Sequence, residues 1–241
     1  MKIDYNLQLN KNNKLQHFLN IENLSKEHIN EIIDLADNYI SSNSNKFKDL
    51  EGKTIASLFF EPSTRTKTTF ELASKRLSAD FINIDIANSS TLKGESILDM
   101  IKTLEAMECD MFIVRHSSSG TPHYIAKEVG DKISIINAGD GIHAHPTQAM
   151  LDMYTIKKHK GGFENLNVSI VGDILHSRVA KSLIASLKIL SVANINIIGP
   201  KNLMPENINE LGVNYFSNLE EGINNVDVII MLRLQQERMK E

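Results

Sequence analysis

Thr54-Ile55-Ala56-Ser57-Leu58-Phe59-Phe60-Glu61-Pro62-Ser63-Thr64-Arg65-Thr66-Lys67-Thr68-Thr69-Phe70 is the stretch whose reading decides the fold. Its first seven residues are mostly apolar and bulky, the pattern of a strand inside a parallel sheet, covered on both faces. The strand ends at Glu61, because Pro62 has no N–H to donate. Ser63 and Thr64 are good N-cap residues, and Phe70, Ala73 and Leu77 recur at helical spacing, which predicts a helix over Arg65 to Leu77. The free N–H groups of its first turn, the positive end of its dipole, three hydroxyls and the Arg65 guanidinium then converge where a phosphate or carboxylate would sit. The same residues also suit an ordinary capped helix with a solvated Arg65. Spacing alone does not choose between the two.

Outward from this stretch the same alternation continues. Upstream, Ser25 caps a helix with Ile29, Ile32, Ile33, Ala36 and Ile40 on one face. Downstream, strands are predicted near Asp80 to Asp85, Asp110 to Arg115 and Ile133 to Asn137, with helices over Glu95 to Met107, Pro122 to Val129 and Thr147 to His159. After Gly161-Gly162 a second series begins, with strands at Asn167 to Gly172, Ala193 to Ile198, Val213 to Phe216 and Val226 to Leu232, and a helix from His176 to Leu190. Alternation of this kind predicts an α/β protein of two doubly wound parallel-sheet domains, residues 1–149 and 150–241, with the active site in the cleft between them. The last predicted strand has no helix after it to cover it, which reads as a C-terminally truncated chain.

Composition narrows the function classes. With 241 residues, 41% hydrophobic and 23% charged, the chain can bury a sizeable core. A net charge of −4 and a pI near 6.1, without a basic stripe, exclude broad attraction to nucleic acid or membrane, although a local cationic pocket remains compatible with an anionic substrate. The N-terminus is polar and rich in Asn and Lys, and no run has the length of a signal peptide or membrane span. Cys109 is the only cysteine, so no internal disulfide can form, and a packed thiol in a cytoplasmic protein is expected.

Ligands of open α/β sheets bind beyond the carboxyl ends of the strands, and the notable polar residues fall there. They are Ser63 to Thr66, Arg115, Gly141 to Gln148, Gly172 to Arg178, and Arg233 to Gln235. In order, the segments FFEPSTRT, SSTLKGES, VRH, HPTQ, GDILHSRV and MLRLQQERM resemble the catalytic chains of the aspartate carbamoyltransferases. The ornithine carbamoyltransferases share the STRT and HP-x-Q signatures, but their cysteine-bearing HCLP motif is absent, and Lys93-Gly94-Glu95 and RLQQER resemble the aspartate branch.

The resemblance implies transfer of a carbamoyl group from carbamoyl phosphate to L-aspartate, the committed step of pyrimidine synthesis. By similarity, Ser63, Thr64, Arg65 and Thr66 bind the phosphate; Arg115, His145 and Thr66 polarise the carbamoyl carbonyl; and Gln148 contacts the carbamoyl nitrogen. Arg178, Arg233 and Gln235 match the aspartate-binding positions, and planar guanidinium groups suit its two carboxylates. These arginines could instead bridge the domains to acids such as Glu61, a role that Arg238 resembles. Ser89 (or its neighbour Ser90) and Lys93 resemble a lid reaching into the next subunit's site, which implies a homotrimer with shared sites; regulatory chains and a higher assembly stay open. His143 and His145 invite a metal reading, but with no Cys partner and no acid at ligand spacing no metal is expected, and without a dinucleotide glycine fingerprint no cofactor is expected. The alternatives are an ornithine carbamoyltransferase and a non-catalytic carbamoyl-phosphate-binding or scaffold subunit.

Overall fold

The computed structural model describes residues 5–86 and 96–235. They form two compact units, one from Met1–Asn23 and Leu35–Pro146, the other from Leu24–Asp34 and Thr147–Glu241. Each has its own four-stranded, all-parallel sheet.

The sheet of the first unit contains β1 (Thr54–Phe59), β2 (Asp80–Ile84), β3 (Met111–His116) and β4 (Ser134–Asp140), in the order β2-β1-β3-β4. Strand side chains alternate between faces, so Ala56, Leu58, Phe112, Val114 and Ile135 join one buried cluster, with Met100, Ile101 and Leu104 of helix α3 (Ile97–Ala106) and Ile125 of α4 (Thr121–Glu128). Ile55, Ile113 and Ala138 face the other way, against Phe70 of α2 (Thr64–Arg76). Both faces are covered, as apolar strands of a parallel sheet require. Cys109 is buried in the first cluster, and burial pushes its thiol above the ordinary range.

The N-terminal segment departs from its polar composition. Phe18 forms a parallel bridge to Ile136 on the edge strand β4, with Phe18 N donating to Ile135 O at 2.8 Å and Asn137 N to Phe18 O at 2.9 Å. Leu19 and Ile21 are wholly buried, and the Gln8 and Asn20 side chains satisfy each other at 2.8 Å. A handful of apolar residues suffices to close the edge, which would otherwise expose unpaired backbone groups. Strand β4 also runs past Asn137 to Asp140, into residues that read as loop. An irregularity between Val114 and His116 sets two residues of β3 against three of β4, and Gly139 there has φ 114, a value that favours glycine.

In the second unit the order is β7-β6-β5-β8, from β5 (Asn167–Val171), β6 (Asn194–Ile198), β7 (Asn214–Phe216) and β8 (Val228–Met231). Helix α5 (Pro146–Lys160) leads into it, and α6 (Arg178–Ile189) buries Leu183, Ile184 and Leu187. Helix α6 begins two residues later than the predicted His176, because the Ser177 hydroxyl accepts from Ala180 N at 3.1 Å and fixes the N-cap there. Helix α7 (Leu219–Gly222) is one turn too short to show a period. Helix α1 (Lys26–Ser41) starts where Ser25 Oγ accepts from His28 N at 3.3 Å. On the edge strand β8, Ile229 and Met231 are exposed, in keeping with the half-covered strand expected there.

Candidate active site

In the first unit the strand order brings the carboxyl ends of β1, β3 and β4 side by side. Helix α2 starts directly after β1. Ser63 occupies its N-cap with extended backbone (φ −161, ψ 95), yet its hydroxyl makes no capping hydrogen bond. The first-turn N–H groups therefore keep no Ser63 cap, as an anion-binding helix start requires. Arg65 and Thr64 are exposed, and Ser63 and Thr66 half-buried.

Arg115, near the end of β3, reaches across this helix start. Its Nε donates to Glu61 Oε2 at 3.0 Å, and its Nη1 lies 3.3 Å from Ala138 O and 3.5 Å from Thr66 Oγ1. Glu61 is thus a carboxylate that orients Arg115. The β4 irregularity supplies the Ala138 carbonyl. A guanidinium held from two sides has little freedom to lose when it meets a substrate.

His145 follows β4 and is buried, directly before Pro146 opens α5. The turn leading to it is built on Asp140, which is fully buried. Burial would raise the Asp140 carboxyl, but hydrogen bonds and charge from His143, the Gly120 N–H and the Asn137 amide outweigh it and hold the group below its ordinary range. Gln148, on the first turns of α5, donates from Nε2 to Asp152 Oδ1 at 3.2 Å, and burial pushes the Asp152 carboxyl up to about 6, with Gln148 offsetting part of the rise.

In the second unit the aspartate-binding candidates gather at the ends of the paired strands β5 and β8. Arg178 is the first residue of α6 and is almost wholly buried, while Arg233 is exposed. Gln235 N donates to Asp173 Oδ2 at 3.3 Å, and the Gln235 side chain lies 3.4 Å from Arg233 O. Asp173, fully buried, also accepts from His176 N at 3.1 Å and faces His176 Nδ1 at 3.0 Å. Ser89, Ser90, Lys93 and Arg238 lie outside the described residues.

The family model for the aspartate/ornithine carbamoyltransferase carbamoyl-phosphate-binding domain matches residues 16–158. The chain belongs to the aspartate/ornithine carbamoyltransferase family. Among solved carbamoyltransferase structures, aspartate transcarbamoylase of Trypanosoma cruzi in complex with carbamoyl phosphate and aspartate is 30% identical, with a TM-score of 0.84 over 93% of this chain and 74% of that one. Its complex with N-(phosphonacetyl)-L-aspartic acid gives 31% identity and a TM-score of 0.82, over 93% and 74% of the two chains. The catalytic subunit of M. jannaschii aspartate transcarbamoylase is 33% identical, with a TM-score of 0.81 over 94% and 76% of the two chains.

Within this carbamoyltransferase chain, two acids close to the site have no role assigned from sequence. Asp140 ends β4 and Asp173 lies two residues beyond β5; each follows a glycine of positive φ (114 at Gly139, 125 at Gly172), and each faces a histidine three residues on. The recurrence of Gly-Asp-x-x-His at 139–143 and 172–176 is the signal that could have found them.

Proposed function

We propose that the protein transfers the carbamoyl group of carbamoyl phosphate to the amine of L-aspartate, giving N-carbamoyl-L-aspartate and phosphate. The observation that carries this reading is Arg115, held by Glu61 and Ala138 O beside the Thr66 hydroxyl and the start of α2. A phosphate seated on Ser63, Thr64, Arg65 and Thr66 would present its carbamoyl carbonyl to Arg115, Thr66 and His145. The amine nitrogen of aspartate attacks the carbonyl carbon, and negative charge builds on the oxygen. Each pre-placed donor aimed at that oxygen contributes on the order of 3 kcal/mol. As the tetrahedral species collapses, the bond from carbon to the phosphate oxygen breaks, and the departing phosphate takes the amine proton. No separate base is required, and positioning supplies much of the rate.

Gln148 would hold the carbamoyl nitrogen, and Arg178, Arg233 and Gln235 the two carboxylates of aspartate. Support for aspartate over ornithine comes from these guanidinium groups, which suit a second carboxylate and repel a second ammonium. The T. cruzi enzyme is solved in complex with carbamoyl phosphate and aspartate. A homotrimer in which Ser89 and Lys93 complete a neighbouring subunit's site, a cytoplasmic location, a place at the head of pyrimidine synthesis, and the absence of any metal or cofactor belong to the same reading. Among the described residues no helix is long and apolar enough to cross a membrane.

Purified full-length protein given carbamoyl phosphate should form carbamoyl aspartate with aspartate and no citrulline with ornithine. Product only with ornithine, or with neither, would overturn the proposal. Sedimentation should show three chains per particle; a monomer of full activity would remove the shared-site element.

A further inference from the structure

Asp140 is the most heavily bonded carboxylate among the described residues of the first unit. Oδ2 accepts from Gly120 N at 2.8 Å and faces His143 Nδ1 at 3.0 Å, while Oδ1 accepts from Asn137 Nδ2 at 2.9 Å and from Ala144 N at 3.1 Å. Its backbone closes the same turn, with Asp140 N donating to Ala144 O at 3.1 Å and His143 N to Asp140 O at 2.9 Å. The next residue is His145. A second set of bonds runs from this turn to the loop after β3, with Gly141 N donating to His116 O at 2.8 Å and Ile142 N to Ser119 Oγ at 3.3 Å. A Cβ on Gly141 would lie 2.7 Å from Ser119 N, so the two loops touch at a point only glycine permits.

His123, Asp140 and His143 also have the spacing of a metal site, with one ligand atom from each within 4.8 Å of the others. Proton assignment argues against that use. Gln8 Oε1 accepts from Leu19 N and Asn20 N, both at 2.9 Å, which fixes Nε2 as the donor to Asn20 Oδ1 at 2.8 Å. Asn20 Nδ2 therefore faces His123 Nε2 at 3.3 Å as a donor, and His123 carries its own proton on Nδ1. Burial, with His143 nearby, pushes His123 down to about 4, so it stays neutral. The ionised Asp140 is an acceptor only, so His143 donates to it. A cation would have to displace the Asn20 bond or the Nδ1 proton of His123, and at least one of four donors on Asp140.

We propose that Asp140 and His143 form a clasp that positions His145, and through the loop after β3 steadies Arg115, for polarising the carbamoyl carbonyl. This rests on the reading of His145 given above. Asp140 is a positioning residue, since it acts through the turn and touches no reacting atom. Errors of about 1 Å in such donors can cost on the order of 100-fold in rate, while substrate affinity, set by the α2 cradle, is largely spared.

The half-exposed His143 is the position to vary. In the full-length protein, His143→Ala deletes the donor to Asp140. His143→Asn places an amide N–H at the same bond count as Nδ1 and should replace it. Turnover, carbamoyl phosphate affinity by calorimetry, and thermal midpoint are measured for both, for His145→Ala, and for the His143→Ala/His145→Ala pair. The expected result is a 10- to 100-fold fall in kcat for His143→Ala, affinity within about two-fold of wild type, recovery to within about three-fold in His143→Asn, and no further loss when His143→Ala is added to His145→Ala. Independent, multiplying losses in the double variant would overturn the clasp, as would His143→Asn being as slow as His143→Ala. A zinc-dependent rise in thermal midpoint that His143→Ala abolishes would overturn it in favour of a metal site. If His145→Ala is slow but His143→Ala is not, the clasp alone falls; if His145→Ala turns over like wild type, the reading of the site falls and the clasp with it.

Discussion

The two units carry the same local device in different surroundings. In the first, Gly139-Asp140-Gly141-Ile142-His143 closes on itself, and Asp140 gathers the loop after β3, β4 itself and the turn before His145. In the second, Gly172-Asp173-Ile174-Leu175-His176 makes the same aspartate–histidine contact, but its outside ties run to other elements: Gly172 N donates to Ile198 O at 2.9 Å, Ile174 N and Leu175 N to Leu203 O at 3.1 and 2.9 Å, and Gln235 N to Asp173 Oδ2 at 3.3 Å. The first clasp fixes donors for a carbonyl whose geometry changes little on binding. The second joins the segment bearing Arg233 to its sheet from both sides of that residue, through Leu232 N to Val171 O at 2.8 Å and Gln235 N to Asp173 Oδ2 at 3.3 Å. The same device thus serves a candidate carbonyl donor in one unit and a candidate aspartate ligand in the other.

The largest effect expected from this comparison concerns charge. Arg115→Ala should cut kcat by roughly 100- to 1000-fold, whereas Arg233→Ala should act mainly by raising KM for aspartate. Steady-state kinetics with each substrate varied separates the two, and equal loss of carbamoyl phosphate affinity in both variants would erase the proposed division of labour between the units.

Next in size is backbone strain. A Cβ on Gly172 would stand 2.8 Å from Leu232 O at a φ of 125, while Gly52, also left-handed at φ 76, has nothing within 4 Å. Gly172→Ala should cost about 3 kcal/mol and Gly52→Ala about 1 kcal/mol in urea unfolding. Equal costs would mean that the β5 end and the β8 exit are not held together as described.

The fold was legible from Thr54 to Phe70 outward because apolar runs and caps are local signals. Strand β1, helix α2 and the alternation that follows them need only nearest-neighbour chemistry to read. What was not legible depends on distant partners. Residues 5–23 are polar in composition, and nothing local shows that Phe18 pairs with Ile136 or that Gln8 and Asn20 are buried as a satisfied pair. The extension of β4 through Ala138 and Gly139 is set by the irregular register against β3, not by propensity. At the site, motif resemblance singled out Arg115 and His145 but gave Arg115 no partner, since only the folded sheet places Glu61 3.0 Å from it. The group at His123, Asp140 and His143 shows the same limit: the sequence shows no acid at ligand spacing, yet folding brings an Asp140 oxygen within 4.8 Å of ligand atoms of both histidines.

Smaller effects come from pH, with opposite signs in the two units. Burial lowers His17 to about 4, and burial with His143 lowers His123 to about 4, both in the first unit. Folded values depressed below the ordinary 6.5 mean stability that is complete above pH 6.5 and lost as pH falls toward 4. Asp152 in the second unit is raised from 3.8 to about 6, so its contribution is greatest below pH 3.8 and is lost as pH rises through 6. Hydrogen exchange resolved by segment, at pH 7 and pH 5, should show β4 and the N-terminal segment opening more easily at the lower pH and α5 less easily. The same direction in both would contradict the assignments. The smallest change is Asp152→Asn, which should stabilise the protein by about 1–2 kcal/mol at pH 8, after discounting the full shift for solvent screening, and by about 0 kcal/mol below pH 4.

Calorimetric titration of carbamoyl phosphate into the full-length wild-type, Arg65→Ala and Arg233→Ala proteins tests most directly that the first unit alone holds the phosphate. Binding should weaken at least about 100-fold in Arg65→Ala and stay within about two-fold in Arg233→Ala. Unchanged binding in Arg65→Ala, or an equal loss in Arg233→Ala, would contradict it.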